Sequence, residues 1–224
     1  RKRESEMIDL HTHCIFSDGE LIPAEPVRRA KVAGYRAIAL TDHGDASNID
    51  FIIPRIARVT GALGDAHGMA IICGIELTHV PPSDIAPLAL EARSLGARIV
   101  VVHGETIVEP VMPGTNRAAL EAGVDILDHP GLINGEDVAL AASRGIFLEV
   151  TTRRGHCLAN GHVVKIARHY GAPLIMNTDT HGPQDLVKKE TAILIARAAG
   201  MDDGEVAAMF KNSELLAKKA GNIP

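Results

Sequence analysis

Seven short apolar runs alternate along the chain with longer segments that have helical spacing. The runs are rich in Val, Ile and Leu and have few polar interruptions, which is typical of strands buried on both faces of a parallel sheet. They lie at residues 7–13, 37–43, 69–77, 98–104, 124–131, 146–152 and 173–181. The pattern therefore predicts a parallel sheet of seven strands.

The segments between these runs predict amphipathic helices, most of which stop at a glycine. The predicted helices lie at residues 23–35, 83–96, 134–145, 160–171, 185–200 and 203–220. Because strands and helices alternate without a repeat or a linker, we expect one α/β domain of seven β/α units over residues 1–224.

Almost every predicted strand has a His, Asp or Glu at its C-terminal end. These residues are His11, His13, His43, Glu76, His103, His129, Asp179 and His181. One such residue is usually structural, for example a cap of the next helix, but that explanation would have to hold independently on six strands. In a closed barrel the strand ends converge on one mouth, whereas in an open doubly wound sheet they spread along an edge. The pattern therefore favours a seven-stranded (β/α)7 TIM-like barrel with its site at the C-terminal mouth.

The same residue types point to bound divalent metal ions. Side chains alternate along a strand, so His11 and His13 should face one side, as should Asp179 and His181. Together with Asp18 they bring the candidate ligands to nine, which is too many for one ion and suits two or three. Histidine mixed with carboxylate suits Mn, Zn or Fe, and no cysteines have ligand spacing. Ions that share a carboxylate clamp phosphoryl groups and generate hydroxide at neutral pH.

The polar motifs, taken in order, resemble those of the PHP (polymerase and histidinol phosphatase) family. They are "DLHTH" at 9–13, "SDG" at 17–19, "TDHG" at 41–44 and "DTH" at 179–181, with a strand-end Glu and two separate histidines between. The resemblance extends from Ile8 to about Leu186. It implies a distorted seven-stranded barrel with a trinuclear metal centre at its C-terminal mouth.

The resemblance also implies how nine ligands are shared among three ions. The first ion is held by His11, His13 and Asp179, the second by His103 and His129 with Glu76 as a bridge to the first, and the third by Asp18, His43 and His181. Of these ligands, Glu76, Asp179 and His181 are the ones expected to act in catalysis.

The activity implied is hydrolysis of a phosphate ester by a hydroxide that bridges two ions, most simply of a monoester such as L-histidinol phosphate. A phosphodiesterase or nucleotide phosphatase of the same family is the alternative. Hydrolysis at a carbon centre, as in amidohydrolase-like barrels, is disfavoured by the nine-ligand set. A structural or regulatory metal-binding module would lack ligands, and all nine positions are filled.

Candidate substrate contacts follow the sixth predicted strand, in segment 148–161. Arg153 and Arg154 are adjacent arginines beyond a strand end, and guanidinium groups bind phosphate with two parallel hydrogen bonds. His156 is a candidate to contact the substrate or to protonate its leaving group.

Three more side chains lie next to the candidate ligands. Glu149 is expected to orient a metal ligand from behind. Asp42 is expected either to hydrogen-bond a metal-binding histidine or to stabilise the turn with Gly44. His79 is left out of the site, because it should face away from Glu76 if its strand continues.

Composition narrows the expected partners and compartment. Hydrophobic residues make up 46% of the chain, and the net charge of -5 gives no reason to expect a polyanion partner. We therefore expect a small phosphorylated substrate, with no nucleic acid polymer required. No apolar run reaches the ~18–20 residues of a membrane span. Without a signal-peptide pattern or a disulfide framework in the sequence, we expect a cytoplasmic protein with no membrane association.

Overall fold

Seven parallel strands form a nearly closed barrel in the computed structural model, which describes residues 7–221. The charged segment 1–6, in which the sequence predicts no signal peptide, lies outside the described residues, as do residues 222–224. Helices follow most strands, as the alternating pattern predicts. The architecture confirms the (β/α)7 barrel.

The strands and helices have the following bounds. The strands are β1 (Met7–Asp9), β2 (Tyr35–Leu40), β3 (His43–Gly44), β4 (Ala70–Leu77), β5 (Ile99–His103), β6 (Ile126–Asp128), β7 (Phe147–Thr151) and β8 (Leu174–Asn177). The helices are α1 (Ala24–Val32), α2 (Ile49–His67), α3 (Pro82–Ser94), α4 (Thr115–Ala122), α5 (Gly135–Arg144), α6 (Asn160–Tyr170), α7 (Lys189–Ala198) and α8 (Asp203–Ala220). The barrel order is β1-β2-β4-β5-β6-β7-β8, and the short β3 pairs with β4 outside this order.

The first and last strands end earlier than the sequence predicts. β1 stops before His11 and β8 stops before Asp179, although strand is predicted through residues 13 and 181. The two chain segments beyond them run side by side: Thr12 pairs with Thr180 in an isolated parallel bridge, and the Asp179 N–H donates to the His11 carbonyl at 3.0 Å. These contacts narrow the gap between β8 and β1 and hold two ligand-bearing segments together.

Helices α2 and α4 are absent from the predicted elements. α2 contains Pro54, Gly61 and Gly64, which weaken a helical pattern, and α4 is only 8 residues long. α2 forms because four buried isoleucines follow the i, i+3, i+4, i+7 spacing of one helix face. In the described part of the chain, no helix has both the length and the apolarity needed to cross a membrane.

The apolar core lies away from the barrel mouth, where the polar side chains are found. Leu10, Ile99 and Val101 lie inside the barrel and pack with Leu216 and Ala217 of α8. A second apolar layer lies between the strands and the surrounding helices. The aliphatic groups of α8 thus lie at the N-terminal end of the barrel, and the polar residues lie at the opposite, C-terminal ends of the strands.

Candidate metal centre

The structure brings all nine predicted ligands together at the barrel mouth. Six of them are buried: His11, His13, Glu76, His103, His129 and Asp179. The other three are more exposed and lie on the outer side: Asp18, His43 and His181. The arrangement has an enclosed inner part and an open outer part.

Four buried carboxylates surround the imidazole of His11. Its Nε2 lies 3.3 Å from Asp128, 3.5 Å from Glu76 and 3.6 Å from Asp179, and its Nδ1 lies 2.8 Å from Glu149. One imidazolium balances only one negative charge, so ionising all four carboxylates would leave buried charge without a partner, which is costly. The cavity therefore favours added positive charge, which divalent cations supply.

His13 and Asp179 complete the inner group. The Nε2 of His13 lies 3.0 Å from the Nε2 of His11 and 3.1 Å from Asp179 Oδ1. Asp179 has a left-handed backbone (φ 52°), which is uncommon for a residue with a Cβ and recurs at functional sites. Asp179 and His181 therefore meet at this turn and not through strand alternation. His181 Nδ1 lies 3.4 Å from Asp179 Oδ1.

Glu149 lies behind His11 and fixes its orientation. Its Oε2 accepts hydrogen bonds from His11 Nδ1 at 2.8 Å and from Asn177 Nδ2 at 2.9 Å. The Asn177 side-chain oxygen in turn accepts from the Leu10 N–H at 2.8 Å. Because Nδ1 is engaged, Nε2 of His11 is the nitrogen that faces the carboxylates and can bind an ion.

Two buried carboxylate oxygens show that the site suits metal ions. Within residues 7–221, Oε1 of Glu76 and Oδ2 of Asp128 are buried and have no hydrogen-bond partner. Buried carboxylates without donors are rare in folded proteins, whereas metal ions bind such oxygens. Asp128 is absent from the predicted ligands, although the sequence carries a signal for it: it ends β6 directly before His129, as Asp42 stands before His43.

The outer group is formed by Asp18, His43 and His181. Asp18 Oδ1 lies 3.3 Å from His43 Nε2 and 3.2 Å from His181 Nε2. The other nitrogen of His43, Nδ1, lies 2.6 Å from Glu76 Oε2, which connects the outer group to the inner one. His13 also lies within reach of this group.

Asp42 fixes the loop that carries Asp18. Its carboxylate accepts from the Cys14 N–H at 2.9 Å and from the Ser17 N–H at 3.0 Å. These partners are neither of the two that the sequence leads us to expect, which are a metal-binding histidine and the turn at Gly44. Asp42 therefore acts on the outer group indirectly, by holding the backbone next to Asp18.

His156 lies inside the centre rather than on an exposed loop. It is 7% exposed, its ring stacks on His129 at 4.1 Å, and its Nδ1 lies 2.7 Å from Thr106 Oγ1. A short 3-10 helix, His156–Ala159, places it there. Candidate ligand nitrogens of His103, His129 and His156 come within 4.8 Å of one another, so His156 lies among the candidate ligands.

Two rim residues join the centre without having been predicted. Glu109 Oε2 lies 3.2 Å from His103 Nε2 and 3.4 Å from His79 Nε2. His79 is expected to face away only if its strand continues; β4 instead ends at Leu77, and His79 adopts a left-handed backbone (φ 54°) that brings its ring next to His103. Glu109 lies in the loop after β5, where no periodic pattern marks it.

A hollow of about 620 Å³ opens beside the centre and is lined by both predicted arginines. Arg153 donates to Asp185 at 2.9 Å, and its Nε lies 3.9 Å from Asp179 Oδ2. Arg154 is exposed at the same hollow. Arg153 is therefore held at the edge of the metal centre, and Arg154 lies further out.

The pKa shifts reflect the concentration of acids in the mouth. Burial raises the pKa of Asp179 to about 7, and burial together with Glu76 raises the pKa of Asp128 well above its usual value. Burial disfavours the charged form of His43, but Glu76 and Asp18 raise its pKa to about 10. Each group thus gains or keeps a proton, and a divalent ion would displace those protons.

Comparisons with known proteins identify the family. A PHP domain family model matches residues 9–101. An uncharacterized protein of Methanocaldococcus jannaschii is 48% identical over 200 residues, covering 88% of this chain and 92% of that protein. A probable phosphatase of Shewanella sp. (strain MR-4) is 30% identical over 223 residues, covering 85% and 82%. Ribonuclease P protein component 3 of Methanosarcina mazei is 27% identical over 216 residues, covering 89% and 83%.

Two solved structures share the fold. A chain in archaeal ribonuclease P with mature tRNA has a TM-score of 0.73 at 15% identity, covering 93% of this chain and 90% of that one. Histidinol phosphate phosphatase from Lactococcus lactis, complexed with zinc, L-histidinol and phosphate, has a TM-score of 0.63 at 17% identity, covering 88% and 95%. The chain belongs to the PHP domain family, and its phosphatase relatives support a metal-dependent phosphoesterase.

Proposed function

We propose that this protein is a metal-dependent phosphatase that hydrolyses a small phosphate monoester, L-histidinol phosphate or a metabolite of similar size. The observation that carries the proposal is the set of four buried carboxylates around His11, which divalent cations would neutralise. The Shewanella relative named as a probable phosphatase supports the reaction class. The fold neighbour that holds L-histidinol and phosphate motivates the choice of substrate.

Three groups of side chains would hold the ions at the mouth. The groups are His11, His13 and Asp179; Glu76, His103 and His129; and Asp18, His43 and His181. When bound, divalent ions polarise phosphate oxygens and activate water as a nucleophile. Among the ligands we assign the catalytic role to Glu76, Asp179 and His181, which span the inner and outer groups.

Two arginine side chains would position the substrate. Arg153 is held by Asp185 next to Asp179, so its guanidinium is ready to receive phosphate oxygens without a large loss of side-chain freedom. Arg154 would add charge at the outer edge of the hollow. A volume of about 620 Å³ suits a small metabolite rather than a polymer.

Hydrolysis of a panel of substrates tests this proposal, with released phosphate measured for the monoesters and the released alcohol measured for a chromogenic diester. The manganese-reconstituted protein is given L-histidinol phosphate, sugar phosphates, nucleotides and a phosphodiester. We expect the fastest hydrolysis for a small monoester. Faster turnover of a nucleotide or a diester would overturn the monoester assignment and leave the metal chemistry in place.

A second candidate is a protein subunit of a ribonucleoprotein. Similarity to ribonuclease P protein component 3 and to a chain of archaeal ribonuclease P favours it. The net charge of -5 argues against it, because RNA binding is driven largely by phosphate contacts. Tight binding of tRNA at physiological salt by a protein that releases no phosphate from any substrate would favour this candidate.

A further inference from the structure

We propose that His79 and Glu109 are ligands of the ion that His103 binds, so that the metal centre extends to the rim of the barrel. Neither residue belongs to the nine ligands that the sequence motifs indicate. The inference rests on the metal centre of the proposed function, but metal binding alone tests it.

The distances at the rim fit a shared ion better than direct hydrogen bonds. The Nε2 atoms of His103 and His79 lie 3.2 Å and 3.4 Å from Oε2 of Glu109. Two ligand atoms that are each about 2.0–2.1 Å from a tetrahedral zinc ion lie about 3.3–3.4 Å apart. A charge-assisted hydrogen bond from imidazolium to carboxylate is shorter, about 2.7–2.9 Å.

The free nitrogen of His103 connects the rim to the centre. Its Nδ1 lies 3.2 Å from the Gly104 carbonyl, which accepts a hydrogen bond and leaves Nε2 as the ligand nitrogen. An imidazole nitrogen binds one ion, and this Nε2 is the atom that faces Glu109. The ion at His103 is therefore the ion at Glu109.

The backbone on both sides presents these residues to the ion. The left-handed turn at His79 places its ring against His103, with ring centroids 5.3 Å apart. Such a conformation is unfavourable for a residue with a Cβ and persists where the surroundings require it. The Glu109 loop is fixed by Glu105, whose Oε1 accepts from the N–H groups of Gly114 and Asn116 at 3.0 and 2.9 Å.

Exposure differs between the two sides of this ion's ligand set. The side chains of His79 and Glu109 are 43% and 38% exposed, whereas His103 and His129 are buried. His79 and Glu109 would therefore complete the water-facing side of an ion whose other ligands lie inside the barrel mouth. Loss of a rim ligand should affect this ion and leave the other ions in place.

Titration of the metal-free protein with Mn²⁺, followed by electron paramagnetic resonance, tests the proposal. The variants are His79→Asn, since Asn tolerates a left-handed backbone, and Glu109→Gln. We expect each to weaken one binding phase at least tenfold and to leave the other phases unchanged. The matched controls are His169→Ala and Glu136→Gln, both at exposed positions, and they should bind as wild type.

Binding curves of His79→Asn and Glu109→Gln that superimpose on the wild-type curve would overturn the proposal. His79 and Glu109 would then form only a surface ion pair. Circular dichroism confirms that each variant keeps its fold, and Glu109→Asp serves as a shortened carboxylate that should restore part of the affinity. A protein that binds ions in this way but releases no phosphate would contradict the proposed function and not the rim ligands.

Discussion

Glu149→Gln removes one negative charge from behind His11 and keeps the hydrogen bonds that hold it. Both bonds, from His11 and from Asn177, end on the same oxygen, Oε2, at 2.8 and 2.9 Å. An amide oxygen can occupy that position and accept both. The substitution therefore isolates the charge of the carboxylate from its geometry.

The expected loss is in metal affinity. Carboxylates that hydrogen-bond a metal-binding histidine make it a stronger ligand, and their removal typically costs 10–100-fold in affinity or activity. That factor corresponds to about 1.4–2.7 kcal/mol. Because both Glu149 and His11 are 0% exposed, water does not screen the interaction, and we expect a value in the upper half of this range.

A competition titration with a chromophoric zinc chelator at constant pH measures this loss. The matched control is Asp125→Asn, which changes a buried carboxylate that lies just before β6 and pairs with Arg93 at 2.9 Å. Asp125 is remote from the mouth, so the control should lose stability and bind zinc as wild type. Zinc affinity of Glu149→Gln within threefold of wild type would refute the view that Glu149 tunes His11 as a metal ligand.

Three further predictions follow from the same site. Asp179→Asn should reduce turnover at least ~10³-fold with a melting temperature close to wild type, because Asn tolerates the left-handed backbone; full activity would remove Asp179 from the centre. Arg153→Ala should raise KM for a phosphate monoester about tenfold or more, because a charged hydrogen bond to the substrate is lost, and Arg154→Ala should raise KM less. An unchanged KM in Arg153→Ala would mean that Arg153 serves only as the partner of Asp185. Chelation should lower the melting temperature by roughly 5–10 °C, since ligand at 100 times Kd adds about 2.7 kcal/mol of stability, and calorimetry with and without chelator measures the difference.

The barrel, and the gathering of the nine candidate ligands at its mouth, could be predicted because each depends on local sequence order. Apolar runs mark the strands, and His, Asp or Glu at the end of a run marks the mouth. This pattern indicates His11 and Asp179, although in the structure both lie beyond the ends of β1 and β8. Both residues still lie at the barrel mouth, because the chain continues in the direction of the strand after it has left the sheet.

The rest of the site depends on features that sequence order does not show. His79 joins the centre through a left-handed turn at its own backbone, and Glu109 joins it from a loop. The sequence places His156 only near the predicted substrate contacts, and its burial against His129 results from the fold. Helix α2 formed against its proline and glycines because tertiary packing of its isoleucines outweighed local propensity.

The most direct measurement for the central claim compares metal content with hydrolysis of 4-nitrophenyl phosphate in the same protein samples. The samples are the chelated protein, the same protein reloaded with manganese, and reloaded Asp179→Asn. We expect two or three ions per reloaded wild-type chain, with hydrolysis that disappears on chelation, returns on reloading and is lost in the variant. Hydrolysis that survives complete removal of metal, or a folded protein that binds no metal, would contradict it.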